Sequence, residues 1–180
     1  MKVSLINAEW LPVPPVLGGA VEETLYETAT LMKSPDFTVI SPWAKEVSTD
    51  LCEKTFHHVD VEAQAQRISD VIGDKIPVEM GSGRALRFFA YMNGVADAIE
   101  DIDPDVMQVH NRSDIVSFLS KEFPQKPLIA YMHNQPWFVG KRIDESIPNV
   151  SKFVFVSHYL RDLWAKEYPG CDESSTVIHN

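Results

Sequence analysis

Residues 105–133 read DVMQVHNRSDIVSFLSKEFPQKPLIAYMH, and the order of patterns in that stretch decides the fold. Asp105–Val109 is a short, nearly continuous apolar run that follows the helix-stopping Asp103-Pro104, and it predicts a strand. Ser113–Phe123 predicts a helix, and Leu128–Met132 a second strand. Neither run alternates apolar with polar residues, as a half-exposed sheet would require. Near-continuous runs suit parallel strands covered on both faces, and a strand–helix–strand order supplies the crossover that parallel strands need.

The same rhythm extends in both directions. Toward the N-terminus, Arg84–Asp101 predicts a helix, because Phe88, Met92, Val95, Ala96 and Ile99 recur on one face. Lys2–Asn7 predicts a first strand, and Ala8–Gly19 a loop with Pro12, Pro14 and Pro15 that closes on Gly18-Gly19. Ala20–Lys33 predicts a helix with Val21, Leu25, Thr28 and Met32 inward; Pro35-Asp36 ends it and Phe37–Ser41 is strand-like. Phe56–Val61 reads as a strand, Glu62–Ile72 as a helix, and Gly81-Ser82-Gly83 as a break. Toward the C-terminus, Lys152–Val156 predicts a strand, and Ser157–Tyr168 a helix with Ser157 as N-cap and Leu160, Leu163 and Trp164 inward. Thr176–Ile178 is a last short strand. The expected architecture is α/β, an open doubly wound parallel sheet of the Rossmann-like kind in three α/β/α layers.

Composition bounds the function. The 180 residues suit one domain, and 44% hydrophobic with 23% charged residues describes a foldable globular chain. A net charge of −10 argues against general binding to nucleic acid or anionic lipid, which needs a basic footprint. No run reaches the ~20 apolar residues of a membrane span, and Met1–Trp10 is no secretory signal. Cys52 and Cys171 form no CxxC and no zinc set, which fits reduced thiols and a cytoplasmic location.

In open parallel sheets ligands bind beyond the carboxyl ends of the strands. Asn7, His110-Asn111-Arg112, His133-Asn134, Ser157-His158 and His179-Asn180 all fall there, so four of the six histidines share one topological place. Two readings of this rim stay open from the residues alone: a hydrogen-bonding wall of a site, or side chains that satisfy free backbone groups. No HxH or HExxH spacing marks a metal site, and none is expected. Gly18-Gly19 before a helix would let backbone N–H groups meet an anion such as a diphosphate, although neither G-x-G-x-x-G nor a P-loop is present. Arg84 and Arg87 are minor anion candidates. Trp10, Trp43, Tyr131, Trp137 and Phe138 lie in or beside the edge loops, where they could stack on sugar rings or simply pack. Glu22-Glu23 reads as a helix start and Asp101–Asp105 as a solvated turn, neither as an acid/base pair. No serine elbow or Cys/His nucleophile arrangement is present.

Taken together, these motifs resemble the first half of retaining GT-B glycosyltransferases of family 4. Pro104–Asn111 (PDVMQVHN) is similar to the family's PDxxHxH strand, Leu128–His133 (LIAYMH) to the strand that ends in its active-site histidine, and Phe153–Arg161 (FVFVSHYLR) to its xVSxxxR segment. Thr176–Asn180 (TVIHN) is similar to the strand that runs into a Gly-Val-Asp link. The resemblance covers nearly the whole chain. It implies that residues 1–180 form the acceptor-side domain of a two-domain enzyme whose donor domain lies beyond Asn180. It implies His133 near the anomeric carbon, Gly18 and Gly19 against the donor diphosphate, and His110, Asn111, Arg112 and Asn134 on the acceptor side. It also implies a nucleotide-diphosphate sugar as co-substrate with no metal or other cofactor, and a glycan, a lipid-linked or a small-molecule acceptor. The basic residues that stabilise the leaving phosphate are missing here, so these residues alone are expected to be inactive. Competing expectations are half of a nucleotide-sugar epimerase and a non-catalytic α/β binding module.

Overall fold

The computed structural model describes residues 1–32, 36–47, 56–72, 83–136 and 143–179. Among the described residues seven strands form one sheet: β1 (Lys2–Ile6), β2 (Asp36–Pro42), β3 (Phe56–Val59), β4 (Val106–His110), β5 (Leu128–Met132), β6 (Lys152–Phe155) and β7 (Ser175–Val177). The order is β3-β2-β1-β4-β5-β6-β7, and every neighbouring pair is parallel. The described helices between them are α1 (Ala20–Leu31), α2 (Val61–Ile72), α3 (Gly83–Ile102), α4 (Ser113–Glu122) and α5 (His158–Glu167). This is the expected α/β architecture. A 3-10 turn at Asp144–Asn149, which has no periodic signal in the sequence, precedes β6.

Strand alternation divides the core between the two faces. Val3 and Leu5 of β1 and Val39 of β2 join Leu25 of α1 in the smaller cluster. Ile6, Ile40, Met107, Val109, Ala130, Met132, Phe153 and Phe155 join α2, α3, α4 and α5 in the larger one. The side of the sheet that α1 covers therefore also carries Val106, Gln108 and His110 from β4, and this parity matters for the site.

Local chemistry sets the element ends. Asp60 accepts from Ala63 N at 3.0 Å, so the chain turns into α2 at Val61 and does not extend β3 to that residue. Ser157 caps α5 as expected, its Oγ accepting from Leu160 N at 3.1 Å. The expected inward Met32 is 52% exposed: α1 stops at Leu31, and Met32 has extended backbone that carries its side chain off the helical stripe. The expected turns at Pro35 and Gly81-Ser82, together with Cys52, Trp137, Phe138 and Asn180, lie outside the described residues. Cys171 is buried and unpaired, and burial pushes its thiol up to about 12, far from a reactive thiolate.

Candidate functional site

Strand order reverses between β1 and β4, so the connections leaving these two strands diverge and open a crevice at their carboxyl ends. A cavity of about 400 Å³ lies there, lined among others by Asn7, Trp10, Glu22, Asn111, His133 and Asn134. Asn7 is the first residue after β1, and the fully buried Tyr91 of α3 donates its hydroxyl to the Asn7 carbonyl at 2.9 Å. The proline loop that follows β1 is tied down as well: Val13 N donates to Ser41 Oγ at 3.1 Å, and the His58 Nε2 lies 2.7 Å from Val13 O.

On the α1 side of the sheet, Gln108 and His110 follow one another at two-residue spacing, with His110 in register with Tyr131 of β5. His133 continues that row two residues beyond Tyr131. Gln108 Nε2 lies 2.7 Å from His110 Nε2, and His110 Nδ1 lies 3.1 Å from His133 Nε2. The two imidazoles stack at 5.3 Å, and the Tyr131 ring packs on His133 at 4.6 Å. His110 is buried behind His133, which is half-buried and faces the cavity. Burial holds His133 down to about 4, and it holds His110 well below 6.5, with the neighbouring His133 adding to the effect. Both rings are therefore neutral at physiological pH.

Asn111 has a left-handed backbone (φ 60°), a conformation asparagine tolerates better than most residues. Its Oδ1 accepts from the backbone N–H groups of His133 (3.3 Å) and Asn134 (3.0 Å), which fixes the turn after β5. Trp164 of α5 donates its Nε1–H to Asn134 O at 2.9 Å, leaving the Asn134 side chain exposed at the cavity.

The glycine pair divides. Gly18 (φ 83°) stands in open space, whereas a Cβ on Gly19 (φ 112°) would lie 2.0 Å from Glu22 Oε2. A side chain on Gly19 thus has to displace the Glu22 carboxylate folded against it, in addition to meeting the positive φ. Neither glycine lines the cavity, but Ala20, Val21 and Glu22 of the first turn of α1 do. Glu22 is buried and accepts from Asn7 Nδ2 at 3.0 Å. That same Nδ2 donates to Leu11 O at 2.9 Å, while Asn7 Oδ1 is buried with no partner among the described residues.

Arg112 is not brought to the cavity. Its guanidinium is buried in ion pairs with Glu9 and Asp114, the Nε–H donating to Asp114 Oδ1 at 2.8 Å. Burial opposes its charge, but Asp114 and Glu9 outweigh that and raise its pKa further. The same group sits 4.9 Å from the Trp10 ring centre and 4.5 Å from that of Phe88, so it fixes two aromatic walls. A second cavity of about 370 Å³ adjoins them and is lined by Glu9, Trp10, Val61, Arg84, Arg87 and Phe88; Arg87 is paired with Glu62. The rim of four histidines also splits. His158 and His179 form a separate exposed pair with ring centres 6.0 Å apart, and they do not line the cavity. Among the described residues, no three His, Cys, Asp or Glu side chains gather as a metal site would require.

The profile of Glycosyltransferase Family 4 matches residues 26–180. The chain belongs to glycosyltransferase family 4. Spore coat protein SA of Bacillus subtilis (strain 168) is 26% identical over 188 residues, spanning the whole chain and 42% of that protein. The fold is similar to that of a UDP-N-acetylglucosamine 2-epimerase from Rickettsia bellii, with a TM-score of 0.55 at 12% identity, covering 100% of this chain and 45% of that one. A UDP-GlcNAc 2-epimerase from Neisseria meningitidis bound to UDP-GlcNAc gives a TM-score of 0.53 at 11% identity, covering 98% and 46%. The family 4 chain thus spans under half the length of these relatives. No described helix is long and apolar enough to cross a membrane.

Sequence reasoning about this family 4 chain missed Glu22, which it assigned to helix polarity, and Gln108, which it left inside a strand. For Gln108 the signal was available: in VMQVH, strand parity puts Gln108 and His110 on one face. For Glu22, four residues behind Gly18 in a helix, nothing local distinguishes a carboxylate folded into a crevice from one in solvent.

Proposed function

We propose that these residues are the acceptor-side, N-terminal half of a retaining GT-B glycosyltransferase, which moves a sugar from a nucleotide-diphosphate sugar to an acceptor hydroxyl. In that transfer the bond from the anomeric carbon to the diphosphate oxygen breaks and a bond from that carbon to the acceptor oxygen forms. The hydroxyl proton leaves with the nucleoside diphosphate. The observation that carries the reading is the convergence of His133, Asn111, Asn134, Asn7 and Glu22 on one crevice at the strand-order reversal. Such a polar, largely uncharged wall suits hydroxyl recognition and placement of a single reacting oxygen. The exposed Asn134 amide and the Glu22 carboxylate supply hydrogen-bonding groups for sugar hydroxyls. The neutral His133 supplies no cation, and the one carboxylate in the wall discourages an anion beside it. The charge on the leaving diphosphate is then stabilised chiefly by basic residues of a second domain, with the first turn of α1 at Ala20 and Val21, which lines the cavity, as the contribution from this side. No metal is needed in this scheme, and the chain works in the cytoplasm, where nucleotide sugars serve as donors.

The test is nucleoside-diphosphate release from a panel of UDP- and GDP-sugars, with and without candidate acceptors. Residues 1–180 alone are expected to show no turnover, whereas the polypeptide that includes the encoded donor domain transfers. His133→Ala in that polypeptide is expected to lower kcat/KM about 100-fold with folding intact, a loss of about 2.7 kcal/mol of transition-state stabilisation. Turnover by the 180 residues alone, or unchanged transfer by the variant, overturns the reading. Conversion of the free nucleotide sugar without any acceptor would instead favour an epimerase on the fold these structural neighbours share.

A further inference from the structure

We propose that Gln108, acting through His110, decides which nitrogen of His133 carries the proton, so that His133 meets its ligand as an N–H donor. The inference rests on the reading above that His133 faces the bound sugar, and it assigns Gln108 and His110 as positioning residues behind it.

An amide nitrogen has only hydrogens to offer, so at 2.7 Å from Gln108 Nε2 the His110 Nε2 must accept and hold a lone pair. A neutral imidazole has one proton, which in His110 must then sit on Nδ1. From there it is donated across 3.1 Å to His133 Nε2. His133 Nε2 is thereby an acceptor, and the single proton of its neutral ring lies on Nδ1. That nitrogen has no partner among the described residues, and it is the one left for the cavity that His133 lines. Burial keeps both rings from taking a second proton, which would break the order of the chain. The Tyr131 ring, 4.6 Å from the His133 ring and 5.0 Å from that of His110, limits rotation of either one. The group presented to the ligand is therefore a neutral donor matched to an oxygen lone pair, such as that of a sugar hydroxyl. A reversed Gln108 amide would turn every donor around and present a lone pair instead.

The test is long-range ¹H–¹⁵N NMR of the imidazoles in uniformly ¹⁵N-labelled protein near neutral pH. The expected result is that His110 and His133 are both protonated on Nδ1 and bare on Nε2. Protonation of His133 on Nε2 overturns the proposal without any variant. Gln108→Met then removes the amide while keeping the shape, after which the pair is equally satisfied in either sense. His133 is expected to change from one tautomer to a mixture of comparable populations. A single unchanged Nδ1–H tautomer in that variant overturns the role of Gln108. The reading of His133 itself fails separately: UDP-GlcNAc and other nucleotide sugars added to the donor-domain-containing polypeptide would leave the His133 signals unmoved while the wild-type tautomer stays as expected.

Discussion

His110 and His133 follow from β4 and β5, and His158 and His179 lie just beyond β6 and β7, at the same edge of the same sheet. The first two rings stack and are hydrogen-bonded, one fully covered and the other half-covered. The second two meet edge to face in solvent, and His179 bonds through Nδ1 to the Val156 carbonyl at 3.1 Å. Chain position is equivalent in the two pairs; what differs is the neighbours. β4 and β5 are interior strands whose carboxyl ends share a cavity with the first turn of α1 and the β1 loop, whereas β7 ends the sheet. The central pair therefore loses water and stacks as a hydrogen-bonded unit with His133 at the crevice, while His179 of the outer pair satisfies a backbone carbonyl at a sheet end. Of the two readings that the rim left open in the sequence, satisfaction of free backbone groups is met at His179.

The largest expected contrast is with pH. Histidine in the unfolded chain titrates near 6.5, and folded His133 near 4. Between those values the unfolded state binds a proton that the folded state refuses. Stability is then full above about 6.5 and falls as pH drops toward 4, by about 3 kcal/mol for His133. Urea denaturation across this range should show the slope in wild type and a flatter slope in His133→Asn. Equal slopes in the two proteins would remove the buried His133 ring as its source.

The glycines give the next contrast, because they too are alike in sequence and unlike in surroundings. Gly19→Ala meets the Glu22 carboxylate and a positive φ, and should cost about 2–3 kcal/mol; Gly18→Ala meets only the positive φ and should cost about 1 kcal/mol. Denaturation midpoints separate them, and identical losses would show that Glu22 yields freely. In the outer region, Ser157→Ala should cost about 1 kcal/mol through the lost α5 cap, measured the same way. The smallest effect is expected from His158→Ala or His179→Ala, within about 0.5 kcal/mol each; a thermal-unfolding loss above that of Ser157→Ala would make the outer pair structural after all.

Much of the fold was legible because the strands are continuous apolar runs and the helices carry their own punctuation. Leu128–Met132 and the start of α4 at Ser113 fall where the pattern puts them. The misses have local causes. Asp60 acts as a cap where an extended reading ran on to Val61, and Met32 leaves the α1 stripe because the helix ends one residue earlier. The candidate site was legible only as a set of addresses. His133, Asn111 and Asn134 do reach one crevice, but Arg112, which looks equally available in sequence, is taken up by Glu9 and Asp114. Glu9 lies 103 residues away along the chain, a pairing that no local pattern reports.

By itself, the sequence determined the parallel α/β sheet and which residues stand at its carboxyl edge, because apolar periodicity and chain order are local properties. Only the tertiary structure decided which of those residues share a cavity, which are neutralised, and which side chains are taken up by one another. Those outcomes depend on burial and on partners brought together from distant parts of the chain: Asn7 against Glu22, Gln108 behind His110, and His110 behind His133.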